Sequence, residues 1–150
     1  MANTYCSVTV HLVFSTKNRE PIIAAEIEDR VWAYLGGIAA KNKLRPLCVG
    51  GVADHIHMLI SLPPTISLGK AVQLIKGRSS KWIHEAFPRH REFAWQRGYG
   101  AFSVSASQVS RTINYIKNQP HHHRFKGFQE EYLTFLNKYG VEFDERYLWG

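Results

Sequence analysis

Two histidines, His55 and His57, are separated by a single residue in the stretch Asp54-His55-Ile56-His57-Met58-Leu59-Ile60-Ser61-Leu62. On a β-strand, successive side chains alternate between faces. Ile56, Met58, Ile60 and Leu62 then make one apolar face, and both imidazoles share the other. A pair of imidazoles on one strand face can converge on a single metal ion. The alternative is one exposed histidine and one polar group satisfied in a core. A second candidate is Tyr115. On a helix it lies roughly 120° from the centre of the apolar stripe Val109, Ile113 and Ile116, at about 100° per residue. Its own side carries Gln108, Arg111 and Gln119. A structural tyrosine more often borders the core, whereas this one shares its face with a cation and two amides. Tyr115 and Gln119 are also four residues apart, the spacing of helix neighbours.

The elements that must position these groups read in order. Cys6 to Ser15 alternates, with Val8, Val10, Leu12 and Phe14 on one face and Ser7, Thr9, His11 and Val13 on the other, which predicts a first strand. Ile27, Val31, Leu35 and Ile38 recur at helical spacing and predict a helix from about Ala24 to Lys41. Leu44 to Gly51 reads as a second strand, and the His-bearing stretch, stopped by Pro63-Pro64, as a third. Ser67 is a good N-cap for a helix carrying Leu68, Val72, Ile75, Ser79, Ile83 and Ala86 on one side. Phe93 to Val104 reads as a fourth strand with a bend. Ser105 and Gln108 fit a capping box opening a helix to about Gln119, ended by Pro120. A last helix spans about Gln129 to Tyr139, closed by Gly140. The apolar tail Tyr147-Leu148-Trp149 is expected to dock on the body of the protein.

The pattern β-α-β-β-α-β followed by two helices is the split βαβ, ferredoxin-like arrangement of the α+β class. It predicts a four-stranded antiparallel sheet with two helices on one face, plus a tyrosine-bearing helix and a C-terminal helix. Ile56, Met58 and Ile60 should meet the two helices, so His55 and His57 should look out from the other face. At 150 residues the chain is read as one domain, 1–150. Its apolar runs are too short for a membrane span, and Met1-Ala2-Asn3-Thr4 leads into strand-like sequence without a basic-then-apolar leader. A cytoplasmic protein, nucleoid-associated when bound to DNA, is the expectation. Cys6 and Cys48 are isolated, so neither a zinc ribbon nor a disulfide framework is indicated. A formal charge of +7 favours a polyanionic partner, most often nucleic acid.

Asp54-His55-Ile56-His57-Met58-Leu59 together with Tyr115-Ile116-Lys117-Asn118-Gln119 resembles the His-hydrophobic-His motif and single-tyrosine helix of the HUH-type transposases. The stretches Phe93 to Val104 and Asn118-Gln119-Pro120-His121-His122 are similar to REP-associated tyrosine transposases. The resemblance runs from about Tyr5 to Tyr139. It implies a nuclease that cuts and rejoins single-stranded DNA beside hairpins through a 5′-phosphotyrosine. In that reading Tyr115 is the nucleophile, His55 and His57 are metal ligands, and Gln119 is the third ligand; the bland reading of Gln119 is a helix-end amide contacting water. Two imidazoles and an amide oxygen suit Mn²⁺ or Mg²⁺, although Zn²⁺ also binds imidazole. The resemblance further implies a homodimer, with the tyrosine serving its own chain's histidines or the partner's.

Other residues are candidates for supporting roles. Asp54 either accepts a hydrogen bond from a ligand histidine or is a turn residue before a strand. His11 projects from the non-core face of the first strand as a possible DNA contact. Lys17, Arg19, Lys70, Arg78, Lys81 and Arg111 are candidate phosphate contacts. His121-His122-His123-Arg124 reads as a polar, basic connection near the site, better suited to phosphate than to metal. Two competing functions share these features: a nucleic-acid-binding module that has lost its chemistry, and a metal-dependent phosphohydrolase without a covalent step.

Overall fold

The structure, a computed structural model, describes residues 3–123 and 127–150. Four strands, β1 (Thr9–Ser15), β2 (Arg45–Val52), β3 (His55–Ser61) and β4 (Gly100–Val104), form one antiparallel sheet in the order β2-β3-β1-β4. With α1 (Ala25–Lys41) and α2 (Leu68–Ala86) joining them, this is the expected ferredoxin-like topology. Three further helices follow β4: α3 (Val109–Lys117), the single turn α4 (Gln119–His122) and α5 (Phe128–Lys138). None of the described helices is long and apolar enough to cross a membrane.

The alternation in β1 and β3 sorts residues onto two faces, as the sequence predicts. Leu12 and Phe14 join Ile56, Met58 and Ile60 beneath α1 and α2, where Val31, Leu35, Val72, Ile75 and Ile83 complete one apolar core. Ser67 caps α2 as expected: its Oγ accepts the Lys70 amide at 3.1 Å. On the other face Val13 and Phe102 pack with Phe128, Tyr132 and Leu136 of α5, a second and smaller core. Leu148 and Trp149 of the tail pack against this cluster, which is the docking the tail's apolar character predicts. The face from which His55 and His57 look out is therefore roofed.

Two elements depart from the sequence reading. Only Gly100–Val104 is strand within the stretch from Phe93, the upstream part keeping a single bridge between Trp95 and Thr16. The Lys76 ammonium donates to the carbonyls of Gln96, Arg97 and Gly98 at 2.8, 3.2 and 2.6 Å, holding that backbone in a loop. The tyrosine helix is also shorter than its capping pattern suggests. Ser105 makes no side-chain cap bond, a 3₁₀ turn covers Ala106–Gln108, and α3 stops at Lys117. Pro120 lies in the first turn of α4, where no backbone donor is missed. Gln119 thus opens a new helical turn instead of ending the tyrosine's own helix.

Candidate metal and tyrosine site

β3 delivers His55 and His57 to the roofed face two residues apart, and β1 delivers His11 diagonally across from His57. α3 is laid against β2 by Ile116, and Gly50 permits the approach, since a Cβ there would lie 3.0 Å from the Ile116 carbonyl oxygen. That contact points the opposite side of α3, with Tyr115, toward the histidines. The Tyr115 ring centroid lies 5.7 Å from that of His57 within the same chain. His55, His57 and Gln119 have no exposed surface, while Tyr115 is half-buried.

At the centre stands a residue that the sequence reading passed over, Glu131 of α5. Its Oε1 lies 2.9 Å from His57 Nε2 and 3.3 Å from both His55 Nε2 and His123 Nε2. Its Oε2 accepts hydrogen bonds from the Tyr115 hydroxyl and from Gln119 Nε2, the latter at 3.2 Å. The Gln119 carbonyl oxygen in turn lies 3.2 Å from His55 Nε2 and 2.8 Å from His123 Nε2. One ligand atom from each of His55, His57, His123 and Glu131 falls within 4.8 Å of all the others. Three imidazole nitrogens and a carboxylate oxygen at that separation suit a divalent first-row ion. His123, expected in a phosphate-contacting connection, is instead turned into this cluster. Arg124 of the same run lies outside the described residues.

Electrostatics follow from the packing. Burial pulls the His55 pKa down, but hydrogen bonds and charge from Asp54 and Glu131 outweigh it and raise the value to about 9. Asp54 Oδ1 sits 2.7 Å from His55 Nδ1, the orienting role considered for it. His57, fully enclosed, is lowered chiefly by burial. Burial alone would raise Glu131, yet its bonds to His123, His55 and His57 hold it well below the usual carboxylate range. Tyr115 is raised by burial and by the Glu131 carboxylate, so in this arrangement it keeps its proton.

The remaining sequence candidates separate by place. His11, a candidate DNA contact, is 2% exposed, and its Nε2 lies 2.8 Å from His57 Nδ1. Arg111 is exposed and lines a cavity of about 650 Å³ that reaches Tyr115, Glu131 and His11, with Lys138, Phe135 and Tyr139 also on its walls. Lys70, Arg78 and Lys81 are exposed on α2, in the helix layer on the opposite face of the sheet. Lys17 is exposed, and the half-buried Arg19 guanidinium lies 5.6 Å from the Trp149 ring centre. A signal for Glu131 was present: Phe128, Glu131, Tyr132, Phe135 and Leu136 follow the i, i+3, i+4, i+7, i+8 pattern of one buried stripe. A carboxylate on that stripe needs a partner.

The chain resembles known proteins in sequence and in fold. The sequence model of the family described as "Transposase IS200 like" matches residues 4–119. The transposase of insertion sequence element IS200 from Salmonella typhimurium is 33% identical over 125 residues, covering 79% of this chain and 81% of that protein. The ISDra2 transposase TnpA of Deinococcus radiodurans is 28% identical over 114 residues, covering 73% of this chain and 81% of its own. A crystal structure of a proposed transposase from Deinococcus radiodurans R1 superposes with a TM-score of 0.65 at 26% identity, over 79% of this chain and 96% of that one. A REP-associated tyrosine transposase, solved with a REP hairpin, shares the fold with a TM-score of 0.59 at 13% identity, over 82% and 73%. Fold and family together define a DNA-processing enzyme. The chain belongs to the IS200-like transposase family, and His123 and Glu131 lie beyond the segment that the family model matches.

Proposed function

We propose that this protein cleaves and rejoins single-stranded DNA next to hairpins, with Tyr115 as the nucleophile and a divalent ion at the histidine cluster. The observation that carries the reading is the convergence on Glu131 of the Tyr115 hydroxyl and three histidines of one chain. His55, His57 and Gln119 are the ligands expected from the sequence, and His123 and Glu131 add donors to them. The nitrogen-rich set favours Mn²⁺ over Mg²⁺. When bound, the ion supplies charge neutralisation and alignment of the scissile phosphate.

The chain's own residues do the rest. Glu131 holds the Tyr115 hydroxyl by accepting its hydrogen bond, which fixes the direction of attack. Tyr115 Oη forms a bond to phosphorus as the bond from phosphorus to the 3′ oxygen breaks. The phenol proton passes along its hydrogen bond to Glu131 Oε2 and on to water, and the departing 3′ oxygen takes up a proton from water to become a hydroxyl, so protons balance. The 5′-phosphotyrosine retains the phosphodiester energy, so a second 3′-hydroxyl reseals the strand by the reverse step. Arg111 and Lys138 at the cavity walls offer charge to the backbone of the entering strand. The hairpin bound by the REP-associated relative supports a hairpin partner here. The nearness of Tyr115 to its own His57 supports a site completed within one chain, so the homodimer implied by the sequence is not needed to build it.

The test is incubation with hairpin-bearing single-stranded oligonucleotides and Mn²⁺. A covalent protein–DNA adduct should form, and Tyr115→Phe should abolish it. Cleavage that survives Tyr115→Phe would establish a hydrolase instead. Binding without cleavage under any metal would establish a binding module.

A further inference from the structure

His11 is buried on the roofed face, and the chemistry above gives it no task. Its Nε2 lies 2.8 Å from His57 Nδ1, with ring centroids 5.0 Å apart and planes 34° from parallel. The Phe135 ring meets it edge-on at 5.2 Å, Tyr115 lies 6.3 Å away, and its ring lines the cavity that leads to Tyr115. Resting on the metal-binding reading above, we propose that His11 is a positioning residue that lets His57 change tautomer when the metal binds.

The argument runs from the hydrogen-bonding rules of imidazole. His57 Nε2 faces a Glu131 oxygen at 2.9 Å, and a carboxylate there only accepts. In this contact His57 Nε2 therefore carries the proton. His57 has no exposed surface, where a neutral ring is favoured over a charged one, so its Nδ1 is bare and accepts the Nε2 proton of His11. A metal ligand needs the reverse: bare Nε2 and a protonated Nδ1, which must then donate to its neighbour. Of the side chains able to lie there, a neutral imidazole serves both states, because Nε2 switches from donor to acceptor when the ring's proton moves to Nδ1.

Protons balance across the change. One crosses from His11 Nε2 to His57 Nδ1, His57 Nε2 gives one up, and His11 Nδ1 takes one from the cavity side. The pair thus binds the ion with no net proton release. His55 is built differently. Its Nδ1 faces the Asp54 carboxylate at 2.7 Å, so that nitrogen stays protonated with and without metal. One ligand has a fixed partner and the other a convertible one.

The experiment uses Zn²⁺ as a diamagnetic probe on the full chain. Two-bond ¹H–¹⁵N correlation should show His57 protonated at Nε2 without metal and at Nδ1 with Zn²⁺, and His11 should shift in the same sense. His11→Phe keeps the ring but removes both nitrogens, and Zn²⁺ affinity by calorimetry should fall about 10- to 100-fold, the usual cost of losing such a partner. His11→Gln, whose amide offers either an oxygen or an N–H, should recover most of the loss, which a purely packing role would not produce. Unchanged affinity in His11→Phe, or one His57 tautomer in both states, would overturn the proposal while leaving the metal site intact. Wild-type protein that fails to bind Zn²⁺ or Mn²⁺ would overturn the metal site and this role together.

Discussion

The two faces of the sheet are built on opposite principles. Beneath α1 and α2 the contacts are predominantly apolar, from Phe14 and Leu12 to Met58 and Ile75, with Ser79 buried among them and bonded to Trp95. Beneath α3, α4 and α5, the same strands present His11, His55 and His57 to a half-buried tyrosine and a buried glutamine and glutamate. An apolar face stabilises by burial in proportion to area. A buried polar face recovers at most the cost of desolvating its groups, and only when each is paired. Among the described residues, every buried side-chain polar atom is paired. The first face therefore supplies most of the apolar packing, and the polar groups of the second, beside its smaller apolar cluster, are retained for what they do.

That division can be broken by experiment, and the largest effect is expected on the polar face. His57→Ala should lower Mn²⁺ affinity by at least about 100-fold, more than loss of an outer partner costs, and should remove the DNA adduct while the fold remains by circular dichroism. Complementation sharpens the same point. If each chain uses its own tyrosine, as proposed, mixing Tyr115→Phe with His57→Ala should leave adduct formation at background. Recovered activity would show a site shared between subunits.

The apolar face should answer in the opposite way. Phe14→Ala should cost about 3–5 kcal/mol in a urea titration, with Mn²⁺ affinity unchanged where the variant is folded. A smaller effect is expected at the cavity wall. Arg111→Ala should weaken binding of single-stranded DNA to Tyr115→Phe protein and reduce the salt slope by about 0.7 if one phosphate contact is lost. Lys70→Ala, on the opposite face, should change that slope less.

Much of this contrast is legible in the sequence, because period-two alternation assigns each strand residue to a face whatever lies above it. The same rule places His55 and His57 together, away from α1 and α2. Helical phase likewise separates Tyr115 from Ile116. What covers the histidines is not legible that way. α5 has an ordinary apolar stripe, and nothing in its composition says which layer it joins. Glu131 follows Glu130 in a first helical turn, where acidic residues are common for a different reason, the favourable helix dipole. His123 is hidden in a run of three histidines, and nothing in that run marks it as a ring that turns inward. The loop upstream of β4 escaped notice because one lysine, distant in sequence, takes three of its carbonyls.

The placement of Glu131 bears on the order in which the protein becomes competent. It meets His57 across 74 residues of chain, whereas all four strands are complete by Val104. During synthesis the sheet and its α1/α2 layer can therefore assemble before α5 exists, as N-terminal parts of a chain fold first. At that stage the imidazoles face water and the tyrosine has no carboxylate to hold its hydroxyl. A nascent chain tethered near its own message would carry the scaffold of a DNA-processing enzyme without the finished tool.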